Sequence, residues 1–245
     1  WDCIKFQKKT PELCVPDHQK NQPKDTPWGN MTYLEYKKKM EFGKEEYDYI
    51  NKYCKEKSID WTASVWDLPS LEFILQYNVP FIKIPSAKIT EEKLMIEAAK
   101  SGRPLLVSTG MSTLEEIDRA VEILERYGSQ YALMHCNSAY PVPHNELNLK
   151  CIKTLQERYK CPIGYSGHEQ DLEPTAYAAL LGAKIIERHI TLDHNMWGTD
   201  QAASLEVMAM DMLRKRAKDI DLILGDGIKK VTDSEKEIRR KMRGV

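Results

Sequence analysis

Two lysines and two histidines stand where their side chains carry chemistry. Lys83 interrupts the apolar run Phe81-Ile82-Lys83-Ile84-Pro85, and Lys5 sits inside Cys3-Ile4-Lys5-Phe6-Gln7. An ammonium group in an apolar strand is costly unless an anion meets it. His168 and His189 each close a short β-rich run, and Glu187 precedes His189 by two, which puts both on one face of a strand. Two imidazoles from neighbouring strand ends can share a divalent ion and leave positions open for water and substrate. Ser64, Ser86, Ser108, Ser138 and Ser166 add short donors at or just past other strand ends. With the lysines they suit a phosphate together with a carboxylate. Taken singly, each serine reads first as a helix cap, and a lone histidine as a hydrogen-bonded core or loop residue. His135, followed by Cys136 with no zinc spacing, fits that structural role, and the cysteines read as packing residues.

These side chains meet only if the runs that carry them are parallel strands. Short β-rich runs at 2–7, 61–64, 81–84, 105–108, 131–134, 163–165 and 185–189 alternate with amphipathic stretches. The clearest helix covers 114–127: Leu114, Ile117, Val121 and Leu124 share a face, Ser112 and Glu115 read as a capping box, and Gly128 is a stop. Thr90 reads as the cap of another, with Glu91 and Glu92 in its first turn and Gly102 past its end. Further helices are expected near 44–57, 69–77, 146–159, 173–182 and 204–224, with a charged helical tail at 234–243.

That alternation argues for the α/β class, a parallel sheet with helices outside. No glycine-rich dinucleotide loop follows a strand, which counts against a Rossmann domain. An open doubly wound sheet is the competing layout. The expectation is a (β/α)8 TIM barrel, a single domain over 1–245 whose first βα unit lies before Trp1. The segment 10–43, with Pro11, Pro16, Pro23 and Pro27, fits neither period. It is expected to be a long active-site loop without regular structure, lying over the strand C-termini.

Composition narrows the partners. Thirty-six Lys and Arg against 37 Asp and Glu give a net charge of -1 in 245 residues. No basic field favours nucleic acid or an acidic membrane, so small molecules are the expected partners. The longest apolar stretch, 176–183, falls far short of the roughly 20 residues a bilayer needs. No charged-then-apolar segment is visible at the chain's start, so no signal peptide is expected. Six cysteines without a Cys-x-x-Cys pair suggest reduced thiols and a cytoplasmic location.

The strand-end motifs follow one another in a familiar order. They are Lys5-Phe6-Gln7, Lys83-Ile84-Pro85-Ser86, Ser108-Thr109-Gly110-Met111, His135-Cys136-x-Ser138-x-Tyr140-Pro141, Gly164-Tyr165-Ser166-Gly167-His168 and Glu187-Arg188-His189-x-Thr191-Leu192-Asp193. Over 2–227 the chain resembles the sialic acid synthase family, N-acetylneuraminate synthase and its legionaminic and pseudaminic acid relatives. The resemblance implies a barrel that condenses phosphoenolpyruvate with an N-acetylated aldose such as N-acetylmannosamine. The products would be a nine-carbon 2-keto acid sugar and phosphate, and the cofactor a divalent ion, Mn2+ or Mg2+. Carried over by position, His168 and His189 would hold the metal. Lys5, Ser64, Lys83, Ser86, Ser108, Ser138 and Ser166 would contact phosphoenolpyruvate, and Gln7, Tyr140, Glu187 and Asp200 the sugar. Glu187, Lys83 and Lys5 would be the catalytic set.

The chain departs from the family pattern in three places. Lys88 stands where many members have glutamate. The usual Ser-Asp-His is Ser166-Gly167-His168. The family's acidic residue and Asn-His pair belong to the first strand and its loop, the unit expected to lie before Trp1. No antifreeze-like C-terminal domain is expected within 1–245; in many members it reaches across a dimer, and a homodimer stays open here. Two other functions also stay open: a Schiff-base aldolase using Lys83 on the same barrel, and a non-catalytic sugar-phosphate-binding barrel.

Overall fold

The computed structural model describes residues 1–244. The chain begins with β1 (Cys3–Lys8), α1 (Pro11–Cys14), α2 (Asp17–Lys20), β2 (Pro23–Thr26), β3 (Gly29–Thr32) and α3 (Tyr33–Met40). Helix and strand then alternate through α4 (Lys44–Glu56), β4 (Asp60–Val65), α5 (Leu68–Ile74), β5 (Ile82–Ile84), α6 (Glu92–Lys100), β6 (Leu105–Ser108), α7 (Leu114–Arg126) and β7 (Tyr131–His135). The last elements are α8 (Cys151–Arg158), β8 (Ile163–Gly167), α9 (Glu173–Leu180), β9 (Ile186–Arg188), α10 (Val207–Leu224) and α11 (Asp233–Arg243).

Seven strands form one wholly parallel sheet in chain order, β1-β4-β5-β6-β7-β8-β9. All seven expected strands are present, with ends shifted by a residue or two. Across a flat sheet of seven strands the edges would lie about 29 Å apart at the usual ~4.8 Å spacing. Instead Lys5 of β1 and Glu187 of β9, the two edge strands, form a salt bridge of 2.7 Å. The sheet is therefore curled, as in a TIM-type barrel, and the doubly wound layout is excluded.

Strand alternation sorts the side chains. Ile82, Ile84, Leu105, Val107, Leu133, Ile163 and Tyr165 join the main core between sheet and helices. Leu106, Ala132 and Met134, with Phe81 and Ile185 against them, form a second, smaller apolar cluster that floors the interior. Gly164 lets the floor close, because a Cβ there would lie 2.3 Å from Met134 Sδ. Above the floor, Lys83, Ser108 and Ser166 are buried polar residues.

Several local expectations are corrected. The capping box of α7 is Thr113 with Glu116, one residue later than Ser112 and Glu115. Thr90 does not cap α6: the backbone is still turning there, with Glu91 N–H bonded to Lys88 O, and the helix begins at Glu92. The stretch 146–159 holds a short turn at 144–146 and then α8, because Asn148 takes a left-handed φ of 43° that a helix cannot contain. Residues 204–206 pair back as extended chain, Leu205 N–H to His189 O, so α10 starts at Val207.

The segment 10–43 is not structureless. Its prolines stand where proline is tolerated: Pro11 opens α1, Pro16 precedes α2, Pro23 opens β2 and Pro27 lies in the β2–β3 turn. A Thr32–Glu35 capping box then starts α3. Among the described residues all six cysteines are free, and no helix is long and apolar enough to cross a membrane.

Candidate active site

Directly above the floor, five side chains from five strands converge. Glu187 Oε1 accepts from Lys5 Nζ at 2.7 Å and from Ser166 Oγ at 3.0 Å, and Lys83 Nζ lies 3.8 Å away. Lys83 is 2% exposed and donates to Ser108 Oγ. Burial alone would push the Glu187 carboxyl up. Lys5 and Lys83 beside it, with the hydrogen bonds from Lys5 and Ser166, outweigh burial and hold it well below the ordinary carboxylate range. Burial lowers Lys83 to about 8, against the pull of Glu187, and the Lys5 charge adds to the fall. The layer is therefore a largely buried carboxylate flanked by two cations, one of them lowered by its burial to about 8.

Higher in the mouth stand the imidazoles. Their ring centroids are 5.3 Å apart, and the Tyr140 ring lies 4.1 Å from His168 and 5.4 Å from His189. His168 Nδ1 is 2.5 Å from Asn137 O; a carbonyl can only accept, so Nδ1 carries the proton. Nε2 keeps its lone pair and accepts from Tyr140 O–H at 3.0 Å. Burial lowers His168, and burial with the charges of Lys5 and His168 lowers His189 to about 4. Both rings are neutral near pH 7, the form that can ligate a metal. Asp200 Oδ2 lies 3.7 Å from His189 Nδ1. Among the described residues no group of three or more His, Cys, Asp or Glu is arranged to hold an ion. The protein could thus offer two imidazoles and leave the other positions to water and substrate, the open arrangement of catalytic sites.

A third group lies at the ends of β5, β6 and β7. Ser86 Oγ accepts from Gly110 N–H at 3.0 Å and is 3.2 Å from Cys136 Sγ. A Cβ on Gly110 would lie 2.5 Å from Ser138 Oγ and 2.9 Å from Ser86 Oγ. Two hydroxyls and a thiol thus crowd a glycine backbone, a close approach that only glycine allows. None of Ser86, Ser108, Ser138 or Ser166 is the N-terminal cap of a helix.

The remaining expected residues are near but less engaged. Ser64 is buried and stands beside Lys83 in the β4–β5 register. Gln7 shares the inward face of β1 with Lys5 and is exposed at the mouth. Trp197, in the loop that carries Asp200, packs against Trp28 at 6.1 Å and Tyr36 at 5.3 Å, so the 10–43 segment meets that loop. His135 is structural, its Nε2 2.9 Å from Leu147 O. Gly110, Cys136 and Asn137 were not among the expected site residues. Gly110 and Cys136 lie inside two of the strand-end motifs, and Asn137 meets His168 through its backbone carbonyl while its side chain ties the loop to Glu146 O and Ala139 N–H.

Fold and side chains together define an α/β barrel whose strand C-termini form a mouth lined by lysines, serines, a glutamate and two imidazoles. The chain belongs to the NeuB family, whose model matches residues 1–229. It is similar to N-acetylneuraminate-9-phosphate synthase of Drosophila melanogaster, 40% identical over 215 residues, 86% of this chain but 58% of that protein. It is also similar to N,N'-diacetyllegionaminic acid synthase of Campylobacter jejuni subsp. jejuni, 33% identical over 241 residues, 96% of this chain and 72% of that one. Among solved structures it resembles N-acetylneuraminic acid (sialic acid) synthetase from Leptospira borgpetersenii in complex with citrate. That match has a TM-score of 0.85 and 32% identity, over 99% of this chain and 82% of the other. The chain therefore spans less than two thirds of the fly protein and more of the two bacterial ones.

Proposed function

We propose that the mouth condenses phosphoenolpyruvate with an N-acetylated aldose, N-acetylmannosamine or a close analogue, in a reaction that needs Mn2+ or Mg2+. The carrying observation is two unlike sites in one basin. Two ammonium groups and a set of hydroxyls surround Glu187, and two neutral imidazoles stand above them. Phosphoenolpyruvate brings a phosphate and a carboxylate to the first site. A sugar aldehyde needs its oxygen polarised, which the second site suits.

Lys5 and Lys83 would face the phosphate and the carboxylate, with Ser64, Ser86, Ser108, Ser138 and Ser166 as neutral donors. The C3 carbon of the enol attacks the aldehyde carbon and forms the new carbon–carbon bond. Positive charge develops at C2. Glu187, ionised between its lysines, stabilises that charge and orients the water that adds there; of that water's two protons one ends on the former aldehyde oxygen and the other on the departing phosphate. Phosphate departs with its bridging oxygen, and the 2-keto group remains. A divalent ion held by His168 and His189 would supply Lewis acidity at the aldehyde oxygen. Gln7, Tyr140 and Asp200 would orient the sugar.

One observation favours a second reading. Lys83 is wholly buried and lowered to about 8, the setting of a Schiff-base lysine. The deciding experiment is phosphate release from phosphoenolpyruvate across a panel of sugars, with and without EDTA. Release that requires an N-acetylated aldose and an ion, and that vanishes in His189→Ala, supports the condensation. A borohydride-trapped pyruvate adduct on Lys83, with indifference to EDTA, overturns it in favour of the aldolase.

A further inference from the structure

Behind the imidazoles, on the opposite face of β8 and β9, lies a charged pair that the proposed chemistry does not use. Glu169 follows His168, and Arg188 stands between Glu187 and His189. Both side chains are fully buried, with Arg188 Nη1 3.2 Å from Glu169 Oε1. Thr175 Oγ1 and Tyr165 O–H also donate to the Glu169 carboxylate, the tyrosine at 2.9 Å. The guanidinium further reaches Asp171 O at 3.1 Å, Thr175 Oγ1 at 3.0 Å, Glu169 O, and Ala203 O at 3.4 Å. Arg188 Nε is buried without a partner.

A buried ion pair is a poor device for stability, since desolvation offsets most of the attraction. What it supplies is direction. A planar fork with several carbonyl acceptors fixes where its backbone must lie. Here one guanidinium joins β9 to the segment after β8 and to the loop that carries Asp200. Gly167 makes the room. A Cβ there would lie 2.6 and 2.7 Å from the Glu169 carboxylate oxygens and 2.9 Å from Arg188 Cδ. The absence of a side chain at 167 and the presence of the pair are therefore one feature.

Strand alternation converts this brace into site geometry. Register pairs Ser166 with Glu187 and Gly167 with Arg188. Fixing Arg188 fixes its two neighbours, Glu187 and His189, on the mouth side; fixing Glu169 fixes His168. β9 has only three residues and pairs with β8 alone within the seven-stranded sheet of the described residues; past its end the backbone is tied only to Leu205, through Leu205 N–H to His189 O and Thr191 N–H to Leu205 O, and Arg188 Nη2, reaching Ala203 O, braces that same stretch. We propose that Glu169 and Arg188 are positioning residues for the reaction. They set the separation and orientation of His168 and His189 and the aim of Glu187, without touching substrate. This inference rests on the condensation proposed above.

The test uses Arg188→Lys, which keeps the charge and loses the fork, and Glu169→Gln, which keeps the shape and loses the charge. Both are compared with wild type by circular dichroism, by steady-state kinetics and by long-range proton–nitrogen NMR of the histidine rings without added metal. In the folded variants kcat is expected to fall by about a hundredfold, the usual consequence of a misplacement near 1 Å. The KM for phosphoenolpyruvate should stay within about twofold, since both lysines and all its serines but Ser166 are anchored away from β8 and β9. The ring signals of His168 and His189 should shift, while those of His18 and His135 stay. A folded Arg188→Lys with unchanged kcat and unchanged ring signals overturns the proposal. If that variant does not fold, Glu169→Gln decides by the same readouts. If wild type releases no phosphate, the condensation fails on its own, and the ring signals alone still decide whether the pair positions the imidazoles.

Discussion

Replacing Glu187 with Gln exposes the electrostatics of the mouth most sharply. The carboxylate has opposite effects on an incoming anion. It competes for Lys5 at 2.7 Å, and it keeps Lys83, 3.8 Å away, protonated. At 3.8 Å, with an effective dielectric near 20, the Glu187–Lys83 attraction is about 4 kcal/mol. If relaxation and entering water recover about half, Lys83 falls by about 1.5 pKa units when the charge is removed. In wild type Lys83 titrates near 8, so phosphoenolpyruvate binding should weaken as pH rises through about 8. In Glu187→Gln the break should move down by more than about one unit. Below the new break the variant should bind more tightly than wild type, because the competing carboxylate is gone; above it, more weakly. Isothermal titration with phosphoenolpyruvate across neutral pH measures both curves. A break at the same pH in both proteins, or weaker binding by the variant at every pH, refutes the electrostatic account.

Further outcomes follow from other contacts. Gly110→Ala puts a methyl 2.5 Å from Ser138 Oγ and 2.9 Å from Ser86 Oγ, so steady-state kinetics should show the KM for phosphoenolpyruvate raised at least about tenfold, the worth of one lost hydrogen bond to an anion. His189 titrates near 4 in the folded chain against 6.5 ordinarily; the unfolded chain binds the extra proton in between, so chemical denaturation should show stability falling as pH drops through that window. The full loss is about 3 kcal/mol from this ring, and it should shrink in His189→Leu. Trp197→Ala removes the ring that packs on Trp28 and Tyr36, and should loosen the 10–43 segment by about 1–2 kcal/mol, read as faster proteolysis near the 26–29 turn with phosphoenolpyruvate binding unchanged.

How much of this the residues announce depends on the kind of signal. Lys83 is legible because an ammonium group in an apolar run is an anomaly that the fold must answer. His168, Glu187 and His189 are legible because strand periodicity puts them on one face. The 10–43 segment misleads because its prolines read as breakers, whereas each occupies a first turn, a strand start or a turn that proline tolerates. Ser112 and Thr113 compete as caps at adjacent positions, and only backbone geometry chooses between them. Glu169 and Arg188 are invisible as a pair because their partnership lies across two strands, on the face turned away from the motifs that draw attention. Gly110 is similar: its importance is a missing atom, visible only once Ser86 and Ser138 surround it.

The central claim is that an ion on His168 and His189 and phosphoenolpyruvate on Lys5 and Lys83 occupy one mouth together. Phosphorus NMR of phosphoenolpyruvate in the presence of Mn2+ tests it directly, because a paramagnetic ion broadens only a nucleus held close by. Strong broadening is expected with the wild-type protein, and its loss is expected in His189→Ala, which should still bind phosphoenolpyruvate. Bound phosphoenolpyruvate that stays sharp in wild type, or is broadened equally in the variant, would contradict the claim.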